Sequence, residues 1–251
     1  MNRLNHSEAG KFYEWLGPNP VAKSGIRPGG LALTQRLMEV ASLPSGSRIL
    51  DVGCGSGVTL DYLRQKHPDF QAFGIDKSSK LLSLAKTVHY VDDIVNADVG
   101  FLPLRDSSFD GVISECCLSV ISYSKVFLEE LFRVLRPDGK LLLTDVYLRN
   151  DSGAENHVEL AQGCCLSGAI GQPEIVDRLA GCGFRIIYWE DYSQLLKDFA
   201  VRWILENGSM KEFWNLMSNG QTATSCLSDW IQETRPGYYL LVAQKNISET
   251  N

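Results

Sequence analysis

Three closely spaced glycines follow a short apolar stretch in the first quarter of the chain. The segment covers residues 49–57 and reads ILDVGCGSG, with Gly53, Gly55 and Gly57 at alternate positions. Glycine has no Cβ, so a turn built from it lets a ligand approach the bare backbone. A strand that leads through such a turn into a helix also directs backbone N–H groups at a bound group. The segment therefore predicts a binding loop for a nucleoside-containing cofactor.

Two acidic residues follow the loop at positions where a nucleoside would need them. Asp76 lies 25 residues after Asp51, at the end of the next predicted strand, where a carboxylate can accept both ribose hydroxyls. Asp98 follows a third predicted strand and is placed to accept from the exocyclic amine of an adenine. Together with the glycine loop, the two acids predict a site for an adenosine-containing cofactor.

The spacing of the glycines bears on the class of cofactor. The dinucleotide fingerprint is G-x-G-x-x-G, whereas the glycines here follow G-x-G-x-G, and Val58 stands where the last glycine of the fingerprint would fall. This departure weighs against NAD(P), whose pyrophosphate needs the third glycine further along the chain. An NAD(P)-dependent oxidoreductase is the alternative that a cofactor titration would separate.

Residues 49–57 resemble motif I of the class I S-adenosylmethionine-dependent methyltransferases, whose loop holds the amino-acid part of the cofactor. Further signals occur in the order found in that family. Asp76 matches the ribose-binding acid, and Asp98 matches the acid on the adenine side. The segment 109–113 (FDGVI) is similar to the fourth strand of the family, and residues 127–139, which end in RVLRPDG, are similar to the helix and turn before the fifth.

The resemblance extends over residues 48–147 and implies the residues of a cofactor site. Glu115, just past the fourth strand, takes a position that often lines the cofactor pocket in this family. Residues 27–30 (RPGG) resemble the N-terminal segment that closes over the cofactor in related enzymes, and a plain turn before a helix accounts for them equally well. The cofactor-binding residues implied by the resemblance are Asp51, Gly53, Cys54, Gly55, Gly57, Asp76, Lys77, Asp98, Val99, Glu115 and Gly30.

The resemblance also implies the reaction, which is methyl transfer from S-adenosylmethionine to a small-molecule acceptor. A sulfonium methyl group is already electrophilic, so such an enzyme mainly positions the reactants and excludes water. A general base is needed only for an acceptor that carries a proton at neutral pH, and we find no catalytic triad in the sequence. The catalytic residue is left open, with Tyr147, His157 and Cys165 as candidates. A non-catalytic S-adenosylmethionine-binding protein is a further alternative.

Two vicinal cysteine pairs, Cys116-Cys117 and Cys164-Cys165, are unusual. Their surroundings, ISECCLSVI and GCCLSGAI, are similar to segments of arsenite methyltransferases, which implies thiols for a soft acceptor such as trivalent arsenic. Cys116 and Cys165 are then the candidate soft ligands. However, the last strand has no cysteine where that family places a ligand, and residues 1–50 have none either. Packing as small buried residues is the other explanation, and no metal site is expected.

Short apolar strands alternate with amphipathic helices from residue 48 onward, which predicts an α/β fold with helices on both faces of a parallel sheet. The resemblance implies a Rossmann-like, seven-stranded, mostly parallel sheet with an antiparallel last strand. A turn at 137–139 is expected before the fifth strand at 140–147. We expect a single methyltransferase domain over residues 1–251. Its parts are an N-terminal helical segment at 1–47, a cofactor-binding core at 48–190, a helical cap at 191–235 and the final strand at 237–245. The aromatic residues of the cap either pack its core or line a substrate pocket.

The composition restricts the partners and the compartment. The chain has 251 residues, with 24 Lys plus Arg against 30 Asp plus Glu and a formal net charge of -6. An acidic chain without a basic run argues against a nucleic-acid partner. Its apolar stretches are too short to cross a membrane, and 7 cysteines without a disulfide pattern indicate a reducing compartment. We therefore expect a cytoplasmic protein with a small-molecule substrate, and the oligomeric state stays open.

Overall fold

The computed structural model describes residues 27–121, 124–150, 165–210 and 224–246. The strands within these residues are β1 Arg48–Val52, β2 Gln71–Asp76, β3 Ile94–Asn96, β4 Phe109–Glu115, β5 Leu135–Leu148, β6 Phe184–Asp191 and β7 Pro236–Lys245. They form one sheet in the order β3-β2-β1-β4-β5-β7-β6. The strands from β3 to β5 in this order are parallel to their neighbours, while β7 is antiparallel to both β5 and β6. This confirms the predicted sheet.

Helices cover both faces of the sheet. Those in the described residues are α1 Gly30–Ala41, α2 Val58–Lys66, α3 Ser79–Val88, α4 Ser124–Val134, α5 Gln172–Gly181, α6 Ser193–Asn207 and α7 Thr224–Thr234. Two short 3-10 turns complete the described helical structure. The turn Leu118–Val120 follows β4, and the turn Cys165–Gly168 precedes α5. None of these helices is both long enough and apolar enough to cross a membrane.

The core has two layers, one on each face of the sheet. On one face Leu142 of β5 packs in a cluster with side chains of α1, α6 and α7, including Trp203 and Trp230. On the other face Leu141 packs in a cluster with side chains of α4 and α5, including Phe127. Burial on both faces explains why the central strands read as continuous apolar runs. Both tryptophans are buried, so these aromatic residues of the predicted cap pack in the core.

The topology identifies the edge of the sheet at which a ligand would bind. The chain runs from β1 outward to β2 and β3, then returns to β4 on the other side of β1, so β1 and β4 form a topological switch point. Asp51 of β1 pairs in register with Gly74 of β2 and Ile113 of β4. The carboxyl ends of β2 and β4 are Asp76 and Glu115. The predicted cofactor residues on these strands therefore share one edge.

The fifth strand begins earlier than predicted. The predicted turn at 137–139 lies inside β5, and the predicted start of that strand at residue 140 is wrong. The reason is that Leu135 already pairs with Phe109 of β4, before a register shift in the same ladder. In the described part of the predicted cap, the helices are α6 and α7. Of the predicted N-terminal segment, residues 1–26 lie outside the described residues.

Candidate cofactor site

The three glycines of the loop adopt a left-handed backbone conformation. The φ angle is 79° at Gly53, 51° at Gly55 and 82° at Gly57, in a region that residues with a Cβ rarely adopt. The loop is attached to β2, because the N–H groups of Gly53 and Cys54 both donate to the carbonyl of Ile75, at 2.8 and 3.0 Å. Helix α2 begins directly after Gly57. The segment therefore folds as strand, turn and helix, as the glycine spacing predicts.

Sulfur atoms fill the space next to the loop. A Cβ built at Gly53 would overlap the Sγ atom of Cys117, and one built at Gly74 of β2 would lie 2.8 Å from the Sγ atom of Cys54. Cys117 also donates to the carbonyl of Val52, at 3.4 Å. Cys54 is buried against β2, and this burial raises the pKa of its thiol. The shape of the loop thus depends on glycine at both close contacts.

The carboxylate of Asp76 lies beside the loop, at the end of β2. Its Oδ2 atom accepts from the N–H of Gly55 at 2.9 Å, and its Oδ1 atom accepts from the N–H of Ser78 at 2.8 Å. Asp76 is partly exposed, so ribose hydroxyls that donate to this carboxylate would lie against the glycine loop. Lys77 is exposed, and its contact with a cofactor stays a prediction.

The acid on the predicted adenine side lies at the next strand end. Asp98 follows Ala97, whose N–H donates to the carbonyl of Asp76 at 3.2 Å. Asp98 is exposed, and its Oδ1 atom accepts from the N–H of Gly100 at 2.9 Å. Val99 is buried in the core. The structure thus brings Asp98 near Asp76 at neighbouring strand ends, while the side chain of Val99 points into the protein.

A buried ion pair joins the segment before α1 to the end of β4. The Nη2 atom of Arg27 lies 2.9 Å from Oε2 of Glu115, and 11% and 4% of the two side chains are exposed. Thr34 of α1 and Thr59 of α2 donate to this carboxylate at 3.0 and 2.8 Å, and accept from Nη2 of Arg27 at 2.6 and 2.9 Å. The N–H of Gly30 donates to the carbonyl of Arg27 at 3.2 Å and closes the turn before α1. Such partners are what a buried charge pair requires.

Asp51 lies at the carboxyl end of β1, close to this ion pair, and is buried. Among the described residues, its Oδ2 atom and the Nε atom of Arg27 are buried without a hydrogen-bond partner. Burial raises the pKa of Asp51 well above its usual value and the nearby Glu115 adds to this, whereas Arg27 lowers it. Buried polar atoms need partners, and a ligand carrying an ammonium and a carboxylate group would satisfy both. The amino-acid end of S-adenosylmethionine carries these groups, so the residues present fit this cofactor.

The first vicinal cysteine pair lies at the same edge and is engaged in contacts within the protein. The Sγ atom of Cys116 and the hydroxyl of Tyr238 on β7 share a hydrogen bond of 2.9 Å. Cys117 lies under the glycine loop, as described above. Burial raises the pKa of both thiols, which keeps them uncharged at neutral pH.

The second cysteine segment packs against the turn that follows the first pair. A Cβ on the last residue of the turn Cys165–Gly168 would overlap the carbonyl oxygen of Ser119, in the turn Leu118–Val120. Cys116 and Cys165 border the same apolar cluster. Across the described ranges, no group of three His, Cys, Asp or Glu side chains is placed to hold a metal ion.

The other catalytic candidate that the structure describes, Tyr147, lies in the core beneath α4 and α5. Its hydroxyl donates to the carboxylate of Asp191, and its ring packs edge-on against Trp189 of β6. Burial raises the pKa of Tyr147 to about 12, with a further contribution from the bond to Asp191. The phenol is therefore protonated at neutral pH and ties β5 to β6. His157 and Cys164 lie outside the described residues.

Comparison with known proteins shows the family. The methyltransferase domain family matches residues 50–143. The O-methyltransferase rstn1 of Aspergillus nomiae is 31% identical over 161 residues, which are 61% of this chain and 70% of the relative. The uncharacterized methyltransferase YodH of Bacillus subtilis is 33% identical over 145 residues, which are 55% of this chain and 59% of the relative. An arsenite methyltransferase of Halobacterium salinarum is 30% identical over 112 residues, which are 42% of this chain and 29% of the relative. The match thus spans less than two thirds of the last two relatives.

The fold has counterparts among solved structures. The [4+2]-cyclase SpnF superposes with a TM-score of 0.78 at 23% identity, over 97% of this chain and 98% of that one. A likeness at this level of identity concerns the fold. The domain match and the relatives confirm the resemblance seen in the sequence, and the chain belongs to the class I S-adenosylmethionine-dependent methyltransferases.

The sequence alone does not identify all the polar groups at this site. It marks Glu115, but Arg27 stands out only as part of a turn, and Thr34 and Thr59 do not stand out at all. The two threonines lie 81 and 56 residues from the carboxylate they bind, beyond the reach of any local motif. One available signal is a threonine on an apolar helix face, since Thr34 lies one turn before Leu37 and both are fully buried.

Proposed function

We propose that the protein transfers the methyl group of S-adenosylmethionine to a small organic acceptor. The observation that carries this proposal is the arrangement at the end of β1. There the left-handed glycine loop and the Asp76 carboxylate share an edge with the unsatisfied polar atoms of Asp51 and Arg27. This arrangement suits a ligand with an amino acid at one end and an adenosine at the other. The pyrophosphate of NAD(P) is disfavoured by the glycine spacing.

Each polar residue at the edge has a proposed part in holding the cofactor. Asp51 accepts from the ammonium group of the methionine part, and Arg27 donates to its carboxylate. Asp76 accepts from the ribose hydroxyls, and Asp98 lies on the adenine side. Glu115 orients Arg27 and balances its charge. The cofactor supplies a methyl group that is electrophilic on its sulfonium, so the protein mainly has to align the acceptor and exclude water.

An organic acceptor suits the described cysteines better than trivalent arsenic does. Arsenic is bound by thiolates, as soft metals are, whereas burial raises the pKa of Cys116 and Cys117. The Cys116 sulfur is also occupied by Tyr238. An arsenite-type reaction that uses Cys165 is the second candidate. It is favoured by the packing of the turn that contains Cys165 against the turn after β4.

The charge and the thiols support the remaining parts of the proposal. With 24 basic against 30 acidic residues, a small molecule is a more suitable acceptor than a nucleic acid. The thiols of Cys54, Cys116, Cys117, Cys165 and Cys182 are free, which suits a reducing, cytoplasmic compartment.

A methyl-transfer assay tests this function. The reduced protein is incubated with S-adenosylmethionine labelled in its methyl group and with a panel of fatty acids, phenols, amines and trivalent arsenic. We expect label in one organic class, with an equal amount of S-adenosylhomocysteine formed. Transfer to arsenic that is lost in Cys165→Ser would replace the organic acceptor with arsenite. If the cofactor binds but no acceptor is methylated by any preparation, a non-catalytic binding protein would be the better description.

A further inference from the structure

A second buried carboxylate lies at the carboxyl edge of the sheet, apart from the proposed cofactor contacts. Asp145 of β5 is 2% exposed. It accepts from the hydroxyl and the N–H of Ser119, at 2.5 and 3.0 Å, and from the N–H of Val146 at 2.8 Å. Burial raises its pKa to about 6, while these hydrogen bonds act in the opposite direction. Asp145 is therefore ionised at neutral pH, and the proposed methyl transfer does not use it.

Ser119 connects this carboxylate to the glycine loop. It lies in the turn Leu118–Val120, whose last N–H donates to the carbonyl of Cys117 at 3.0 Å. The sulfur of Cys117 in turn fills the space against Gly53. A displacement of the turn would therefore move the sulfur on which the first glycine of the loop rests.

The same serine also contacts the segment that contains the second cysteine pair. Its carbonyl oxygen lies so close to Gly168 that a Cβ there would overlap it. Gly168 ends the turn Cys165–Gly168, from which Leu166 enters the apolar core. Asp145 thus lies behind both turns, the one after β4 and the one before α5.

We propose that Asp145 is a positioning residue that fixes the turn Leu118–Val120, and through it the glycine loop on one side and the turn Cys165–Gly168 on the other. A carboxylate only accepts hydrogen bonds, and both donors of Ser119 are directed at it. An asparagine of the same shape would present an N–H₂ group to one of these donors. The inference rests on the proposed function only in taking the glycine loop as the cofactor site.

Thiol labelling tests this role without knowledge of the acceptor. All three of the thiols used are partly buried, and such a thiol reacts faster when its segment opens, so a change in labelling rate reports a change in the local opening equilibrium. Labelling by iodoacetamide, located by mass spectrometry, is followed at Cys117 and Cys165, with Cys182 of the α5 end as an internal control. We expect Asp145→Asn to raise the labelling rate at Cys117 and Cys165 by about tenfold or more. The loss of a hydrogen bond to a charged group shifts an equilibrium by about this factor. Ser119→Ala should give a smaller rise, and Ser119→Thr, which keeps the hydroxyl, should restore slow labelling.

The matched control is Asp191→Asn, the same change in a carboxylate at the end of β6, which β7 separates from β5 in the sheet. Asp191 accepts from Ser193 and Tyr147, so labelling of Cys117 should stay at the wild-type rate. Unchanged labelling in both Asp145→Asn and Ser119→Ala would overturn the inference. An equal rise at Cys182 would also overturn it, because it would indicate general destabilisation. If Asp145→Asn does not fold, the labelling rates of Ser119→Ala and Ser119→Thr test the inference in its place. If the wild type does not bind S-adenosylmethionine, the proposed function is refuted. The labelling rates of the Asp145 and Ser119 variants still test the positioning role, because labelling does not require the cofactor.

Discussion

The sulfur of Cys117, in the segment after β4, lies directly against Gly53, the first glycine after β1. The two residues come from strands that neighbour each other at the topological switch point of the sheet. Gly53 is therefore required twice, once by its left-handed backbone and once by the sulfur that occupies the position of a Cβ. The candidate cofactor loop thus depends on the segment that follows β4.

Gly53→Ala should weaken cofactor binding for this reason. Gly46 is the matched control, because its φ is also 79° but nothing lies within 4 Å of a Cβ built there. Gly46→Ala should lower the free energy of unfolding by about 1–2 kcal/mol, the cost of a left-handed backbone. Gly53→Ala should cost more and weaken S-adenosylmethionine binding by more than about tenfold. Urea unfolding and calorimetry would measure both, and equal behaviour of the two variants would contradict the steric argument.

Removing the Arg27 charge should destabilise the fold strongly. Arg27→Met leaves Glu115 buried without its cation, which costs about 3–5 kcal/mol in the free energy of unfolding. The control is Arg136→Met, whose guanidinium lies 2.6 Å from Asp110 with 42% and 26% of the side chains exposed. Such an exposed pair contributes less than about 1 kcal/mol. The double variant Arg27→Met, Glu115→Gln should regain part of the loss. If urea unfolding shows that Arg27→Met is at least as stable as Arg136→Met, the Arg27–Glu115 pair does not behave as a buried pair.

Cofactor affinity should rise with pH because of Asp51. Burial raises the pKa of Asp51 in the free protein, so its protonated form accumulates as the pH falls. A cofactor ammonium group favours the carboxylate, so binding releases a proton and becomes tighter as the pH rises through this raised pKa. Calorimetry at about pH 6 and about pH 7.5, in buffers of different ionisation enthalpy, measures both effects. Asp51→Asn should bind more weakly with a smaller dependence on pH. A pH-independent Kd in the wild type would argue against this role of Asp51.

Asp145 should make the wild type lose stability as the pH rises. Burial raises its pKa from 3.8 to about 6, so the folded state binds a proton more tightly than the unfolded state does. This contribution to the free energy of unfolding is complete below the unfolded pKa and is lost as the pH rises through the folded pKa. It amounts to on the order of 2–3 kcal/mol. Urea unfolding between about pH 4 and pH 7 should show a steeper loss in the wild type than in Asp145→Asn. Parallel pH profiles would be the contrary outcome.

The fold and the glycine loop are predictable from the sequence because their signals are local. Residues 49–57 contain a strand, a turn and the approach to a helix in one run. The three glycines indicate a turn with unusual backbone angles, and the structure has positive φ angles at all three. The order of motifs along the chain then indicates which strand ends meet at one edge. The start of β5 is not predictable in this way, because the turn signal at 137–139 lies inside the strand, where the register of the β4–β5 ladder shifts after Leu135.

The polar partners around the loop are not predictable in the same way, because they join distant segments. Cys116 and Tyr238 are 122 residues apart, and Ser119 and Asp145 are 26 apart. Periodicity indicates which positions are buried but not which of them meet. Tyr147 illustrates this, since its place at the end of β5 suggests a pocket residue while its hydroxyl binds Asp191. Only the packed structure shows these pairings.

Calorimetric titration of the wild type and Asp76→Ala tests most directly whether this edge binds the cofactor. The reduced proteins are titrated with S-adenosylmethionine, S-adenosylhomocysteine, NAD and NADP. The predicted result is one-to-one binding of both adenosyl ligands to the wild type and no binding of the nicotinamides. Asp76→Ala should bind the adenosyl ligands at least about tenfold more weakly, since hydrogen bonds to a charged carboxylate are lost. Absence of adenosyl binding to the wild type, or equal affinity in Asp76→Ala, would contradict the assignment of this site.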